Sequence, residues 1–361
     1  MKKLIYICLL SIGALFVSCD NDAYLDESDN TDKSEVMSSR DEMLHFRSSE
    51  DLNSYIADLL DSEMDLLEEA KTRARSNEHT SLLYLYSLNL AQLDSIEVNR
   101  KKVAIVNSYD ETLHFILNKK GEINIGNSIY RINGDFVFKY NIGYESDVNH
   151  FMREYNNGGI RIERGQTIEY NENLSVLMHE NNESVSEDLA DTILFDGNIE
   201  SITDTEIRDG NTLGRTANKS ITTYNYFSSG RTRMIARQFN GYWWFYSSMG
   251  ALTKTQIKKT YWYWWFGWHH VSWWSTQKAY NRLDYEVSYT YYNIFFNVYQ
   301  TGSANGHKYC YCNSAKKVYN WSVGFPAAPF YFLPSQSSGQ TKHWSHWFTE
   351  TPNVRVRYLY Y

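Results

Sequence analysis

Five side chains with metal-binding chemistry recur at short spacing late in the chain, as His307-x-x-Cys310-x-Cys312 and His343-x-x-His346. Imidazole and thiolate are the usual zinc ligands, but the spacing departs from the common structural zinc patterns, so no metal and no other cofactor is expected. Cys310 and Cys312 have two other readings, a disulfide or two small strand residues. A pair of carboxylates two residues apart, Asp284 and Glu286, points the same way on a strand and has the chemistry of a glycosidase acid/base pair. Neighbouring Arg282 makes a cross-strand ion-pair pattern the simpler reading. The chain contains no nucleophile elbow, zincin helix, Walker loop or dinucleotide fingerprint. No residue set argues for an enzyme, and a glycoside hydrolase is kept only as an alternative.

The densest concentration of binding chemistry is aromatic. Tyr261-Trp262-Tyr263-Trp264-Trp265-Phe266-Gly267-Trp268 is followed closely by Trp273-Trp274, with Lys254, Lys258 and Lys259 just before. On a strand Trp262 and Trp264 share one face and Trp265 takes the other, so the block needs two covered sides or an exposed surface. Three readings follow: the core of a twisted sheet, a stacking platform for a sugar or other flat ligand, or insertion at a membrane interface. The platform reading assigns ligand contact to Trp262, Trp264, Trp265, Trp268, Trp273 and Trp274. His269 and His270 belong to the same strand surface.

Charge divides the chain. Residues 215–361 carry sixteen Lys and Arg against Asp284, Glu286 and Glu350, a formal +13; residues 1–214 carry 19 basic and 40 acidic residues, or −21. All eleven Trp lie between Trp243 and Trp347. Basic residues interleaved with aromatics suit phosphate-plus-base contacts or an anionic glycan, and nucleic acid is the less expected of the two outside a cell. The plainer reading is that the basic half docks on the acidic half.

These residues must be positioned by two unlike regions. Leu52, Ile56, Leu59, Leu60, Met64 and Leu67 recur at helical spacing and predict a helix over about 50–74. A second helical or mixed segment is expected over 81–96. Residues 113–142 read as a β-meander with turns at Gly126-Asn127 and Asn133-Gly134, and two short strands are expected around Gly165-Gln166. From residue 220 onward, alternation such as Tyr285, Val287, Tyr289, Tyr291 and Val354, Val356, Tyr358, Tyr360 predicts strand after strand. The expected fold class is α+β: an N-terminal helix plus a small antiparallel β-meander, then a C-terminal all-β antiparallel sandwich or barrel. The expected layout is a leader over 1–18, an acidic tether over 19–43, an α+β region over 44–177, a polar linker over 178–219 and a basic Trp/Tyr-rich domain over 220–361.

The N-terminus carries the address. Lys2 and Lys3 precede an apolar run from Leu4 to Val17, flanked like a signal peptide and too short for a membrane span. Phe16-Val17-Ser18-Cys19 resembles the lipobox of bacterial lipoproteins, with Phe16 where that family usually has Leu. The resemblance implies diacylation of Cys19 and loss of residues 1–18. Asp20-Asn21-Asp22, with Asp26, Glu27, Asp29 and Asp32, resembles the surface-export signal of Bacteroidota lipoproteins, which implies display on the outer face of the outer membrane. Leu44-His45-Phe46 with its capped helix, and Leu117 through Tyr130, resemble uncharacterised Bacteroidota surface lipoproteins of a domain-of-unknown-function family, a resemblance that brings no activity. Asp94-Ser95-Ile96 and Asp191-Thr192-Ile193 resemble the O-glycosylation motif of exported Bacteroides proteins. The expected function is non-catalytic binding of an extracellular ligand such as a glycan. The alternatives are a structural or assembly protein of the envelope, whose aromatics are all core, and the hydrolase above. The expected partners are an outer-membrane lipid, through Cys19, and an anionic extracellular ligand.

Overall fold

Where periodicity predicts one helix over 50–74, the computed structural model has two. α1 (Ser49–Asp61) buries Leu52, Ile56 and Leu59, and α2 (Leu66–Arg75) buries Leu66, Leu67 and Ala70. The apolar spacing runs through the break, but the Asp65 carboxylate accepts the backbone N–H groups of Leu67 and Glu68 and so starts a new helix. The structure describes residues 43–62, 64–88, 103–179, 217–227, 230–263, 269–324, 327–347 and 353–360, with the backbone alone described in 217–231, 261–263, 269–272, 334–335, 346–347 and 353–360. All of them fall in one unit, Ser39–Tyr361. The leader, Cys19, most of the tether, the linker over 180–216 and both glycosylation-like motifs lie outside the described residues.

α3 (Leu82–Ser87) opens the second expected helical segment, whose remainder from 89 lies outside the described residues. Residues 113–116, expected at the start of the meander, are helical instead: Asp110 caps α4 (Glu111–Ile116) by accepting the Thr112 N–H at 2.8 Å. The meander itself is β2 (Glu122–Ile125), β3 (Ser128–Asn133) and β4 (Phe136–Asn141), turning at Gly126 and Gly134 in the left-handed region that glycine tolerates. β1 (His45–Phe46) joins β2 in parallel. α5 (Glu145–Asn156) buries Val148 and Phe151, an element that the sequence reading missed. The last two strands are β5 (Thr167–Asn171) and β6 (Leu174–Met178), giving the sheet order β1-β2-β3-β4-β6-β5. They turn at Glu172-Asn173 rather than Gly165-Gln166, and Ile162 is buried from coil.

The remaining strands are antiparallel. β7 (Ala217–Phe227), β8 (Gly230–Tyr242), β9 (Tyr246–Tyr263) and β10 (His269–Thr276) follow one another. β9 is 18 residues long, so its second edge serves two partners, β10 along one half and β13 (Ser314–Val323) along the other. β11 (Ala279–Asn293), β12 (Val298–Cys312), β14 (Phe330–Trp347) and β15 (Asn353–Tyr360) form a separate sheet ordered β12-β11-β14-β15. Among the described residues no barrel closes, which corrects that half of the expectation.

β11 and β14 lie over β8 and β9. Two small apolar clusters join them, Met249 with Val287, Tyr289 and Phe332, and Ala251 with Leu283, Cys312 and Ala315. Between runs a buried polar seam, in which Gln238 donates to Thr341 at 3.1 Å and Thr255 donates to Asn281 at 2.7 Å. Polar groups survive such burial only with partners at hand, and Thr and Ser supply them at little volume.

The turn from β8 to β9 drives an aromatic plug into the N-terminal core. Trp243, Trp244, Phe245 and Tyr246 are buried in the same cluster as Leu52, Ile56, Leu82, Phe115 and Tyr130. Each large side chain so removed from water is worth about 1.5–3 kcal/mol. The cost is a left-handed Trp244, φ 67°, held by hydrogen bonds from Trp243 N–H to the Tyr246 carbonyl and from Ala328 N–H to its own carbonyl. Trp243 and Trp244 are thus core residues of the N-terminal region.

Candidate ligand-binding face

β11 alternates. Ala279, Asn281, Leu283 and Val287 point into the molecule, while Tyr280, Arg282, Asp284, Glu286 and Ser288 face outward. Register with β12 sets Tyr311 opposite Tyr280, Tyr309 opposite Arg282 and His307 opposite Asp284. Register with β14 sets Trp344 opposite Arg282, Lys342 opposite Asp284 and Gln340 opposite Glu286. Side chains two apart share a face, so these rows form one open surface.

One end of that surface is aromatic. The Tyr280 ring lies nearly parallel to Tyr309, 11° apart with centroids at 5.7 Å, and meets Tyr311 at 5.2 Å. Tyr309 and Tyr311 are 59% and 52% exposed, far more than a core role allows. Arg282 joins the next row. It donates to both carboxylate oxygens of Asp284, at 2.8 and 3.0 Å, and its guanidinium sits 4.8 Å from the centre of the Trp344 ring. The hydrogen bonds to Asp284 raise the guanidinium's pKa, keeping it charged over the indole face. Farther along, a groove of about 590 Å³ is lined by Glu286, Ser288, Ser303, Asn305, Ser338 and Gln340. Small residues make the room, and Gly339 makes the bend: at φ +120° a Cβ there would meet the Glu286 carbonyl at 2.2 Å. The sheet bulges at the same point, between Ser288 and Thr290.

The surface expected from the sequence is a different one. Trp264, Trp265 and Trp268 lie outside the described residues, and Trp262 stands in β9 at register with His270. Trp273 and Trp274 are half-buried in β10 beside Lys259 and Lys258, with the Arg233 guanidinium 4.5 Å from the Trp274 ring centre. The carboxylates Asp284 and Glu286 do share a face, but Asp284 is engaged by Arg282 while Glu286 lines the groove. The four metal-type ligands whose side chains are described are not gathered. Cys310 and Cys312 form a disulfide on the inner face, and His307 is exposed on the outer one. His343 is wholly buried, with Nδ1 at 2.9 Å from Thr253 Oγ1 and Nε2 at 2.8 Å from Thr341 Oγ1. The His346 backbone is at register with Tyr280 and Val354. Among the described residues no three such side chains meet.

A second polar cluster, unseen in the sequence, joins the two regions. Glu111 is buried and pairs with Lys254 at 2.7 Å. Burial pushes its carboxyl up, but the charges of Lys254 and Lys316 and hydrogen bonds from Lys254 and Ser314 outweigh it and hold the group at about 2. Asp110 accepts from the Tyr246 and Ser248 hydroxyls, both at 2.6 Å, and Lys316 donates to Thr112 at 2.6 Å. Asp65 accepts from both the backbone and the side chain of Asn313. Basic and acidic halves thus do meet, as the plainer reading of the charge split expects. A cleft of about 350 Å³ opens beside this joint, lined in part by Asp65, Glu111, Lys308, Lys316 and the disulfide.

Alternation along β11 and β12 is the signal that could have found the outer face, since Tyr309 and Tyr311 flank Cys310 as Arg282 and Asp284 flank Leu283. What unites them is cross-strand register, which no single strand encodes. No family model matches this chain, and no curated protein or solved structure matches it either.

Proposed function

We propose that this chain is a surface lipoprotein that binds an extracellular glycan, without turning it over, on the outer face of the β12-β11-β14 sheet. The observation that carries the reading is the cluster of exposed Tyr309 and Tyr311 around half-buried Tyr280, beside the Arg282–Trp344 pair. Aromatic faces stack on the apolar faces of sugar rings, while the flanking charged and amide groups meet hydroxyls and acidic substituents. The groove beyond supplies further hydroxyl and amide partners along the same axis. We infer that the two C-terminal sheets work as a sandwich, one presenting this face and the other joined to the N-terminal region.

Affinity electrophoresis in gels cast with neutral and with acidic polysaccharides tests the binding. Retardation by at least one polysaccharide is expected. Tyr309→Ala with Trp344→Ala should weaken it about tenfold or more. Retention unchanged in that variant would remove the sheet face from the account. The anchoring half of the proposal rests on the lipobox-like Phe16-Val17-Ser18-Cys19. Cells fed labelled palmitate should label the wild-type chain and not Cys19→Ala; equal labelling would refute it. The burial of Trp243 and Trp244 favours a second reading, an envelope scaffold, for that part of the aromatic content alone.

A further inference from the structure

The hairpin between β11 and β12 ends in a side-chain set unlike the rest of the surface. Ile294, Phe295, Phe296, Val298 and Tyr299 are 40%, 67%, 73%, 42% and 57% exposed, a contiguous apolar tip. We propose that this tip enters the interfacial zone of a lipid bilayer with Phe295 and Phe296 leading. The glycan reading plays no part in this inference, since platform and tip lie at opposite ends of β11.

Three features of the hairpin fit a lipid surface. A bilayer interface penalises unsatisfied backbone groups, and here the N–H groups of Ile294, Phe295 and Phe296 have partners within the protein. Asn293 Oδ1 accepts the N–H of Phe295 at 3.1 Å and of Phe296 at 3.2 Å, while Ile294 N–H donates to the Pro329 carbonyl at 2.8 Å. The Tyr292 hydroxyl donates to Asn297, whose φ of 52° closes the turn. Behind the tip stands a tyrosine collar: Tyr292 lies 5.1 Å from both Tyr299 and Tyr331, and Tyr331 lies 6.0 Å from Tyr242. Rings with an apolar body and a polar tip concentrate at headgroup depth, one step shallower than phenylalanine. Finally, the charge matches a net-neutral surface. No Lys, Arg, Asp or Glu occurs between Glu286 and Lys308 or between Lys317 and Lys342, although the chain as a whole is 22% charged. The strands that carry the tip can therefore approach zwitterionic headgroups without desolvating a charge.

Co-sedimentation with phosphatidylcholine vesicles tests this, using the chain from residue 19 onward with Cys19→Ala, so that neither the apolar leader nor an acyl chain contributes. The expected result is binding that persists at high salt and falls about tenfold or more in Phe295→Ser/Phe296→Ser, as loss of two buried rings requires. Because both rings are exposed, the double variant should keep the parent's melting temperature. Equal sedimentation of parent and variant overturns the proposal, as does a parent that stays in the supernatant. Binding abolished by salt would overturn it too, assigning the contact to the basic residues. So would a concentration-dependent dimer that the variant dissolves, which would give the tip to a second copy of the chain.

Discussion

His343 has the chemistry of a metal ligand and is used for the fold. Burial between two threonine hydroxyls lowers its pKa from 6.5 to about 3, and burial lowers that of His114 to about 4 against the opposing pull of Asp110 and Glu111. Both histidines are held neutral in the folded state and charge freely once unfolded. With the folded value below the unfolded one, the stability from each is complete above pH 6.5 and drains as pH falls toward the folded value. Each contributes a slope of about 1.4 kcal/mol per pH unit inside its window. Melting temperature measured from pH 7 to pH 4 should fall steeply, and His343→Gln should flatten the fall even if it lowers stability at pH 7. An unchanged slope would show that His343 titrates normally. At this scale the sequence was legible for residue type and not for environment. His307 and His343 look alike in the chain, yet the first is exposed and the second has no exposed surface, because strand parity and sheet stacking decide which face meets water.

Among the elements, the break between α1 and α2 bears on the whole joint. Asp65 serves as the cap of α2 and as the acceptor for Asn313, while the Ser48 hydroxyl, the cap of α1, accepts the Asp51 N–H at 3.3 Å in an exposed position and reaches no other region of the fold. Asp65→Ala should therefore cost about 3 kcal/mol and Ser48→Ala no more than about 1 kcal/mol, read from denaturant midpoints. Equal losses would mean that the Asn313 contacts contribute nothing. Elements with a strong local signal were legible: the glycine turns of the meander, the helical spacing from Leu52 onward and the alternating strands. α4 and α5 were not. Asp110 reads as a loop residue until its cap is seen, and α5 buries only Val148 and Phe151, too few apolar positions to stand out. The two helices within 50–74 share one apolar stripe, so periodicity could not report the break.

Taken whole, the molecule divides its aromatics by task. One group, Trp243 to Tyr246, plugs the N-terminal core; another lines the interface between sheets; a third, on β11, β12 and β14, faces solvent. Composition announced the excess without its division, since a ring buried by a neighbouring sheet and a ring offered to a ligand have the same strand pattern. The charge split was legible, and its partial resolution through Glu111 and Lys254 follows from where the second β-region folds back on the first. The central claim is that the outer face of β12-β11-β14 is where ligand binds. Hydroxyl-radical footprinting, with and without a polysaccharide that retards the protein, addresses it residue by residue. Protection of Tyr309, Tyr311 and Trp344 is expected, with Phe295 and Phe296 left as reactive as before. Undiminished reactivity of Tyr309 and Tyr311 under saturating polysaccharide, or protection confined to Trp273 and Trp274, would contradict it.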